Sequence, residues 1–399
     1  MSKRNDGFFA EKKIWSKVKD ELLGCYLSPY FSKIFFTQRP VMYVDCFAGK
    51  GKFDDGTAGS PIIALDIIKE ALSKSNAKNP RVEAHFIDLN YAKDLETNLA
   101  EYEGVHIVSG KYEDKIDNLL QNKDLHNVFL YIDPYGIKAL DCTKFDSFAK
   151  RFNSIELLIN LNSFGFIREA CHAMGASFED PEIFNDLVEY DESKFDASDK
   201  SIQNLNIIAG GEYWKQIIID YKTNKIDGYA AEERFAREYS QRLASSYKYV
   251  LNMPLRLKEG QKPKYRMIHA TNHPDGCLLM ADNICKRWEA IRDIQTGGQL
   301  SLFEQNYNNQ YVSEQETENL IGKHYQQYTS DTSLNESMAE FFTVNGAICT
   351  SKEITKHLKK LEKSGKLVIS RIPAFTANGK NSTFMTEGHG KKVILRWSK

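Results

Sequence analysis

Three short apolar segments in the first third of the chain each lead into an aspartate. The segments are 41–44, 82–87 and 128–132, and the aspartates that follow them are Asp45, Asp88 and Asp133. Each segment has the length and composition of a buried strand, and helical spacing of apolar residues fills the intervals between them. Strands that alternate with helices predict βαβ units and a parallel sheet with helices on both faces. Because ligands bind at the carboxyl ends of such strands, the aspartates mark a candidate site.

A glycine-rich loop follows Asp45 and ends where Ser60 and Pro61 begin the next helix. Glycines let a backbone approach a ligand closely, and a helix amino terminus presents unpaired amides. Asp88 is placed to accept hydrogen bonds from ribose hydroxyls, although taken alone it is equally well explained as a helix cap. The predicted cofactor-binding residues are Asp45, Phe47, Ala48, Gly49, Gly51, Asp88 and Gly110.

The interval from Gly49 to Asp88 is longer than in compact nucleotide-binding units. It spans 39 positions, whereas about 20 is usual. The excess lies in the loop that follows Lys50 and in the turn before the second strand. This departure leaves two interpretations open, a functional flap or a degenerate site.

The third strand delivers Asp133, Pro134, Tyr135 and Gly136 to the same edge of the sheet. An aspartate there can accept hydrogen bonds from an exocyclic amine, and an aromatic ring can stack on a flat base. These properties make Asp133, Pro134 and Tyr135 the predicted catalytic residues. The alternative is that Pro-Tyr-Gly forms only a turn after a strand, since proline and glycine are common in turns.

The rest of the chain divides by composition into further segments. A helical N-terminal extension covers 1–40, and the α/β domain covers 41–292 with a helical insertion at about 171–245. A strand ends at Asn160–Leu161–Asn162, and later strands are predicted at 247–257, 265–271 and 277–280. A polar linker follows at 293–330. Residues 331–399 show helices and then a β-hairpin, which predicts a winged helix-turn-helix domain.

The segments DCFAGKG (45–51) and DPYG (133–136) resemble methyltransferases that modify exocyclic amines in nucleic acids. The single proline departs from their Pro-Pro-aromatic pattern and is closer to the tRNA guanine-N2 dimethyltransferases. The resemblance implies a Rossmann-like class I methyltransferase domain with S-adenosylmethionine as its cofactor. It leaves the target base open.

A more extensive resemblance, over most of the chain, is to the three-Cys-motif partner protein family. It is carried by YVDCFAGKGKF (43–53), GTAGSPIIAL (56–65), YIDPYG (131–136), GEYW (211–214), YRMIHATNHPDGCLLM (265–280) and the C-terminal part. Members are methyltransferase-like and are typically encoded beside a protein with three clustered cysteines that resembles radical S-adenosylmethionine enzymes. The resemblance therefore implies a protein partner of that kind and shared work on nucleic acid.

Positive charge is concentrated at the C-terminus of a chain whose net charge is only −1. Residues 352–399 hold twelve lysines and arginines and three glutamates, a net of +9. Such residues suit phosphate contacts, although a solvated surface on a structural domain is the alternative. The predicted nucleic-acid-binding residues are Lys352, Lys356, Lys359, Lys360, Lys363 and Lys380.

A short motif in the linker, Gln299-Leu300-Ser301-Leu302-Phe303, resembles the pentapeptide with which bacterial replication and repair proteins dock on the DNA sliding clamp. Gln299, Leu300, Leu302 and Phe303 are therefore candidate clamp-binding residues. The alternative is that this segment packs its own apolar side chains onto the protein. A clamp contact would favour DNA over RNA as the nucleic acid.

The seven cysteines are widely spaced and form no CxxC pair, a usage typical of reduced thiols rather than of a metal site. No signal peptide or bilayer-spanning segment is recognisable, so we expect a cytoplasmic protein without a bound metal. Two hypotheses lead: a methyltransferase acting on nucleic acid in DNA repair or modification, and a catalytically idle DNA-binding adaptor that recruits an iron–sulfur partner. A defence effector that modifies foreign nucleic acid is a third.

Overall fold

The computed structural model describes residues 6–178, 195–255, 265–296 and 312–398. The chain forms two compact units. The first comprises the described residues up to Asn272 together with 290–296, and the second comprises His273–Glu289 and 312–398. Among the described residues no helix is both long enough and apolar enough to cross a bilayer. All seven cysteines lie in these ranges, and none forms a disulfide.

The first unit is a mixed α/β structure. Its strands are β1 (Val41–Asp45), β2 (Val82–Asp88), β3 (Val105–Ser109), β4 (Asn127–Ile132), β5 (Ser154–Leu161), β6 (Tyr249–Leu255) and β7 (Tyr265–Thr271). Its helices are α1 (Ile14–Ile34), α2 (Ser60–Lys74), α3 (Ala92–Asn98), α4 (Tyr112–Leu119), α5 (Cys142–Phe148), α6 (Ser163–Ala173), α7 (Asp199–Ala209), α8 (Trp214–Lys222) and α9 (Gly228–Leu243). Short 3-10 turns at Asp6–Phe9 and Phe35–Thr37 flank α1.

The seven strands form one sheet in the order β3-β2-β1-β4-β5-β7-β6. All neighbours from β3 to β5 pair in parallel, whereas β7 runs antiparallel to both β5 and β6. The chain winds outward from β1 to β3 and then returns to place β4 on the other side of β1. This reversal creates a topological switch point between β1 and β4, the place where open α/β sheets bind ligands.

The two faces of the sheet are covered differently. One face carries Val44, Leu130 and Ile159, which join the main hydrophobic core with the helices that follow β4 and β5. The opposite face is covered by α1, whose Tyr26 ring lies 5.8 Å from that of Phe129. Helix α1 continues through Pro29.

A buried polar network attaches α1 to this second face. The Tyr26 hydroxyl donates a hydrogen bond to Glu156 of β5, and His269 Nε2 of β7 lies 3.0 Å from the same Glu156 carboxylate. All three side chains are buried. A carboxylate in such a place is costly unless hydrogen bonded, so the tyrosine fixes where α1 docks.

Helix α10 covers Pro274–Thr296, and its part up to Glu289 belongs to the second unit. The other helices of this unit are α11 (Glu314–Tyr325), α12 (Leu334–Asn345) and α13 (Ser351–Lys363). Its strands β8 (Thr332–Ser333), β10 (Lys392–Trp397) and β9 (Leu367–Ile372) form an antiparallel sheet in that order. The strand predicted at 277–280 is wrong, because these residues lie within α10. Cys277, Met280, Ala281 and Ile284 are buried at helical spacing.

The α1 network yields a stability prediction with a control one turn away. Tyr26→Phe removes the hydroxyl that serves buried Glu156 and should lower the free energy of unfolding by about 1–3 kcal/mol. Tyr30→Phe removes a buried hydroxyl that has no hydrogen-bond partner in the described parts of the chain, so it should be neutral or stabilising. Urea unfolding of both variants checks this, and equal losses would contradict it.

Candidate functional site

Four polar side chains lie at the carboxyl ends of four neighbouring strands and on one face of the sheet. Asp45 pairs in register with Phe86 and Tyr131, and Tyr131 pairs with Leu158. Residues two positions further along a strand keep the same face. Asp88, Asp133 and Asn160 follow the paired residues by two positions, so they lie on the same face as Asp45. In the strand order β2, β1, β4 and β5, the four side chains are Asp88, Asp45, Asp133 and Asn160. This row crosses the switch point beneath α1, and we call it the polar row.

Asp45 is fully buried. One carboxylate oxygen accepts a hydrogen bond from the Ser60 hydroxyl at 2.7 Å, and the other accepts one from the Phe47 amide at 3.2 Å. Burial is the main cause that raises the pKa of Asp45 to about 7, and the nearby Asp133 and Asp20 contribute to the same rise. The bond to Ser60 joins the end of β1 to the start of α2 and closes the glycine-rich loop.

Asp88 accepts three backbone hydrogen bonds. The amide of Gly49 donates at 2.9 Å to one oxygen, and the amides of Asn90 and Tyr91 donate at 2.7 and 2.8 Å to the other. Burial raises the pKa of Asp88. A carboxylate has about four acceptor positions, so roughly one is left for a ligand. The same bonds bring Gly49 and Asp88 together across their long separation in sequence.

The loop that lengthens this interval is folded back on itself. Lys52 and Ala58 form an antiparallel bridge, and the amide of Gly59 donates to the Gly51 carbonyl at 2.9 Å. A Cβ on Gly59 would lie 3.0 Å from that carbonyl oxygen. The predicted flap is therefore tied down at its base by close backbone contacts.

Asp133 is held by three side chains. Lys19 Nζ of α1 donates to Oδ2 at 2.6 Å, the Tyr131 hydroxyl lies 3.3 Å from the same oxygen, and Asn160 Nδ2 donates to Oδ1 at 2.7 Å. The Asp133 side chain retains 20% of its exposure. The predicted catalytic aspartate is thus fixed by an ion pair and remains in contact with solvent.

Helix α1 adds charge to the polar row that the strand pattern does not predict. Lys12 precedes the helix and pairs with Asp20, while Lys19 pairs with Asp133. Burial raises the pKa of Asp20 to about 6 against the opposing effect of Lys12. With Asp45, three carboxylates face two ammonium groups, which leaves an excess of negative charge when all are ionised. Such a site favours a positively charged ligand group.

An aromatic cluster lies over the glycine-rich loop. Phe9 packs against Phe53 and Tyr91, with ring centroids 5.7 and 4.9 Å away, and Phe8 meets Tyr135 edge-on at 6.0 Å. Tyr135 is 44% exposed. The N-terminal turn at Asp6–Phe9 therefore links the loops that follow β1, β2 and β4.

The remaining predicted cofactor residues lie in the same loops. Phe47 contacts the Tyr112 ring at 5.3 Å, and the Ala48 amide donates to the Ile87 carbonyl at 3.0 Å. Gly110 has a positive φ of 135°, and its amide donates to the carbonyl of Asp88 at 3.1 Å. Sequence reasoning missed Lys12, Lys19 and Asp20 as site residues, and it named Asn160 only as a strand end.

In the second unit, four of the predicted nucleic-acid-binding lysines form a stripe along α13. Lys352, Lys356, Lys359 and Lys363 are all exposed and recur at intervals of four, three and four residues, which places them on one helical face. The buried stripe Ile354, Leu358 and Leu361 lies on the opposite face. Lys360 lies off the stripe and pairs with Glu318.

Lys380 is also exposed, in the turn between β9 and β10. Its backbone carbonyl accepts a hydrogen bond from the Thr376 amide at 2.8 Å, so the turn that carries it is tightly closed. The predicted clamp-binding residues Gln299, Leu300, Leu302 and Phe303 lie outside the described residues.

Comparison with known proteins gives no family. No protein-family model matches the chain, and no curated protein matches it. Among solved structures it is similar to a crystal structure of the plantazolicin methyltransferase BamL in complex with a triazolic desmethylPZN analog and SAH, at 12% identity over 65% of this chain and 85% of that chain. The TM-score is 0.28, and a likeness this weak gives no support to a shared activity.

The contact between Gly49 and Phe9 predicts a difference between two alanine variants. Gly49 and Gly56 both have positive φ, so alanine should cost each about 1–2 kcal/mol. A Cβ on Gly49 would also lie 2.9 Å from the Phe9 ring, whereas one on Gly56 would meet nothing within 4 Å. Gly49→Ala should therefore be the more destabilising in urea unfolding.

The Phe9→Ala change isolates the cause of that difference. Introduced beside Gly49→Ala, it should remove most of the extra loss, and beside Gly56→Ala it should show no such coupling. Equal losses for the two glycine variants would contradict the packing of the N-terminal turn on this loop.

Proposed function

We propose that this protein transfers a methyl group from S-adenosylmethionine to an exocyclic amino group of a nucleic acid, with DNA favoured over RNA. The observation that carries the proposal is the polar row across four adjacent strand ends at the switch point. A cationic methyl donor and an amine acceptor both fit a site with excess carboxylate charge. The strand order, with β7 reversed between β5 and β6, resembles that of the class I methyltransferase fold and supports the same proposal.

The residues around the glycine-rich loop fit the proposed cofactor. Asp88 keeps roughly one acceptor position for a ribose hydroxyl, and the carboxyl groups of Asp45 and Asp133, when ionised, suit a sulfonium ion. When bound, S-adenosylmethionine supplies an electrophilic methyl group. The protein's own contribution is to hold donor and acceptor in line, which for such a reaction provides most of the rate gain.

Asp133 would act on the acceptor amine. Its carboxylate accepts an N–H hydrogen bond and faces the positive charge that develops on nitrogen. The nitrogen lone pair would form the new N–C bond to the methyl group that bound S-adenosylmethionine would supply, and the electron pair of the methyl–sulfur bond would remain with the departing thioether. The proton that the methylated nitrogen loses passes to Asp133 and from there to solvent, with which the side chain is in contact. The exposed ring of Tyr135 would stack on the target base.

The lysine stripe on α13 supports nucleic acid as the substrate. Exposed lysines at this spacing would contact successive phosphates, which fix position without reading sequence. The order of helices and strands in the second unit supports a winged helix interpretation. A three-Cys-motif partner protein and the sliding clamp remain part of the proposal because of the sequence resemblances alone.

One observation favours the adaptor as the second candidate. Asp133 is already paired with Lys19, Asp88 accepts three backbone amides, and Phe9 lies against Gly49. Because these three residues of the site already have partners within the protein, they need no ligand to hold them in place. In that case the chain would bind nucleic acid through α13 and recruit an iron–sulfur enzyme without catalysing methyl transfer.

Asp133→Ala separates the two candidates. Methylation of DNA by the purified protein should fall about a hundredfold or more, while calorimetric binding of S-adenosylhomocysteine stays within about twofold. The control is Asp117→Ala, which also removes an aspartate from a 2.6 Å pair with lysine, here Lys144, outside the polar row. A wild-type protein that binds neither S-adenosylmethionine nor its product would refute the enzyme and leave the adaptor.

The lysine stripe makes a prediction about salt dependence. Lys356→Ala should reduce the slope of log affinity against log salt concentration by about 1, because one phosphate contact is lost. Lys360→Ala should change it less, since that lysine is paired with Glu318. Fluorescence anisotropy with a short duplex of arbitrary sequence measures both slopes. Equal slopes for the two variants and the wild type would argue against nucleic-acid binding by this face of α13.

A further inference from the structure

Asn160 carries a buried acceptor that no other described residue of the chain uses. Its side chain is 5% exposed, and its Oδ1 atom has no hydrogen-bond partner. The orientation of the amide is determined by its neighbour, because Asp133 is acceptor-only when ionised and must face Nδ2, which lies 2.7 Å from Asp133 Oδ1. A buried acceptor left without a partner costs about 1–3 kcal/mol, so its presence in a site indicates a missing donor.

A second open acceptor lies beside the first. Asp133 Oδ2 receives Lys19 and Tyr131, whereas Oδ1 receives only Asn160. Since each carboxylate oxygen accepts about two hydrogen bonds, Oδ1 has one position left. Asn160 Oδ1 and Asp133 Oδ1 are therefore neighbouring acceptors, on adjacent strands and on the same face of the sheet.

We propose that Asn160 is a substrate-positioning residue that, together with Asp133, selects a primary amino group and limits the product to a single methylation. This inference rests on the proposed methyl transfer and extends it to the substrate class. A primary amine has two N–H bonds, one for each open acceptor, and its lone pair then points away from both towards the methyl donor. Once one hydrogen is replaced by methyl, one buried acceptor loses its donor. The methylated amine is consequently a poor substrate.

The test uses the full-length protein and pairs of oligonucleotides that differ by one methyl group. The pairs contain adenine or N6-methyladenine, cytosine or N4-methylcytosine, and guanine or N2-methylguanine. Binding is measured by calorimetry in the presence of S-adenosylhomocysteine, and methyl transfer is measured by mass spectrometry of the product. The wild type should prefer one unmethylated oligonucleotide to its methylated counterpart by roughly tenfold or more, in both assays.

Asn160→Leu keeps the size of the side chain and removes the acceptor. Affinity and kcat/KM for the unmethylated oligonucleotide should fall roughly tenfold, whereas both values for the methylated oligonucleotide should change much less. The ratio of the unmethylated to the methylated values should therefore approach one. Binding of S-adenosylhomocysteine should stay unchanged. If the role of Asn160 were only structural, affinity and kcat/KM would fall equally for both oligonucleotides.

Asn252→Leu is the matched control. Asn252 also has a buried Oδ1 without a partner, and its Nδ2 donates to Ser240 of α9 at 3.1 Å. The register places Asn252 level with Ile159, on the face of the sheet opposite Asn160. This variant should retain the wild-type preference.

The outcomes distinguish the two proposals. A wild type that binds no S-adenosylhomocysteine and methylates none of the oligonucleotides overturns the proposed function, and this inference with it. A wild type that methylates DNA but accumulates dimethylated product overturns the inference alone, as does an Asn160→Leu variant that keeps the wild-type preference. If Asn160→Leu does not fold, the wild-type ratio of mono- to dimethylated product still decides.

Discussion

The parallel register of β2, β1, β4 and β5 is the constraint on which the candidate site depends. It brings Asp88, Asp45, Asp133 and Asn160 to one face at one edge of the sheet, although they are far apart in sequence. A slip of one residue in any strand would turn its polar group to the opposite face, into the apolar core. The buried pairs along these strands therefore set the chemistry of the site as well as its stability.

Helix α1 determines what this row of carboxylates can do. Its Tyr26 docks on Glu156, and this contact places Lys19 against Asp133 two turns earlier in the helix. Burial raises the pKa of Asp45 to about 7, and repulsion from Asp133 and Asp20 contributes to the rise. A ligand cation would relieve the same repulsion, so charge favours occupancy by a positively charged group.

The parts of the site that the sequence predicts are those that follow apolar runs. Asp45, Asp88 and Asp133 end strands whose burial is evident from composition, so their meeting at one edge follows from the βαβ pattern. Lys19 could not be predicted as a site residue, because a lysine on an amphipathic helix normally indicates the solvent face. The strand predicted at 277–280 failed because a short apolar run is compatible with either structure, and only buried Ala281 and Ile284 reveal helical spacing.

The ion pair between Lys19 and Asp133 is compatible with catalysis for a reason specific to methyl transfer. Lys19 binds Oδ2 of Asp133, whereas Oδ1 is bound by Asn160 and keeps one acceptor position. An acceptor that orients an amine needs to be held in place rather than to be a strong base, because the methylated nitrogen is acidic enough to lose its proton to a weak base. The pairing with Lys19 therefore suits an orienting carboxylate. What decides between enzyme and adaptor is whether the open acceptor positions on Asp133 and Asn160 receive a substrate.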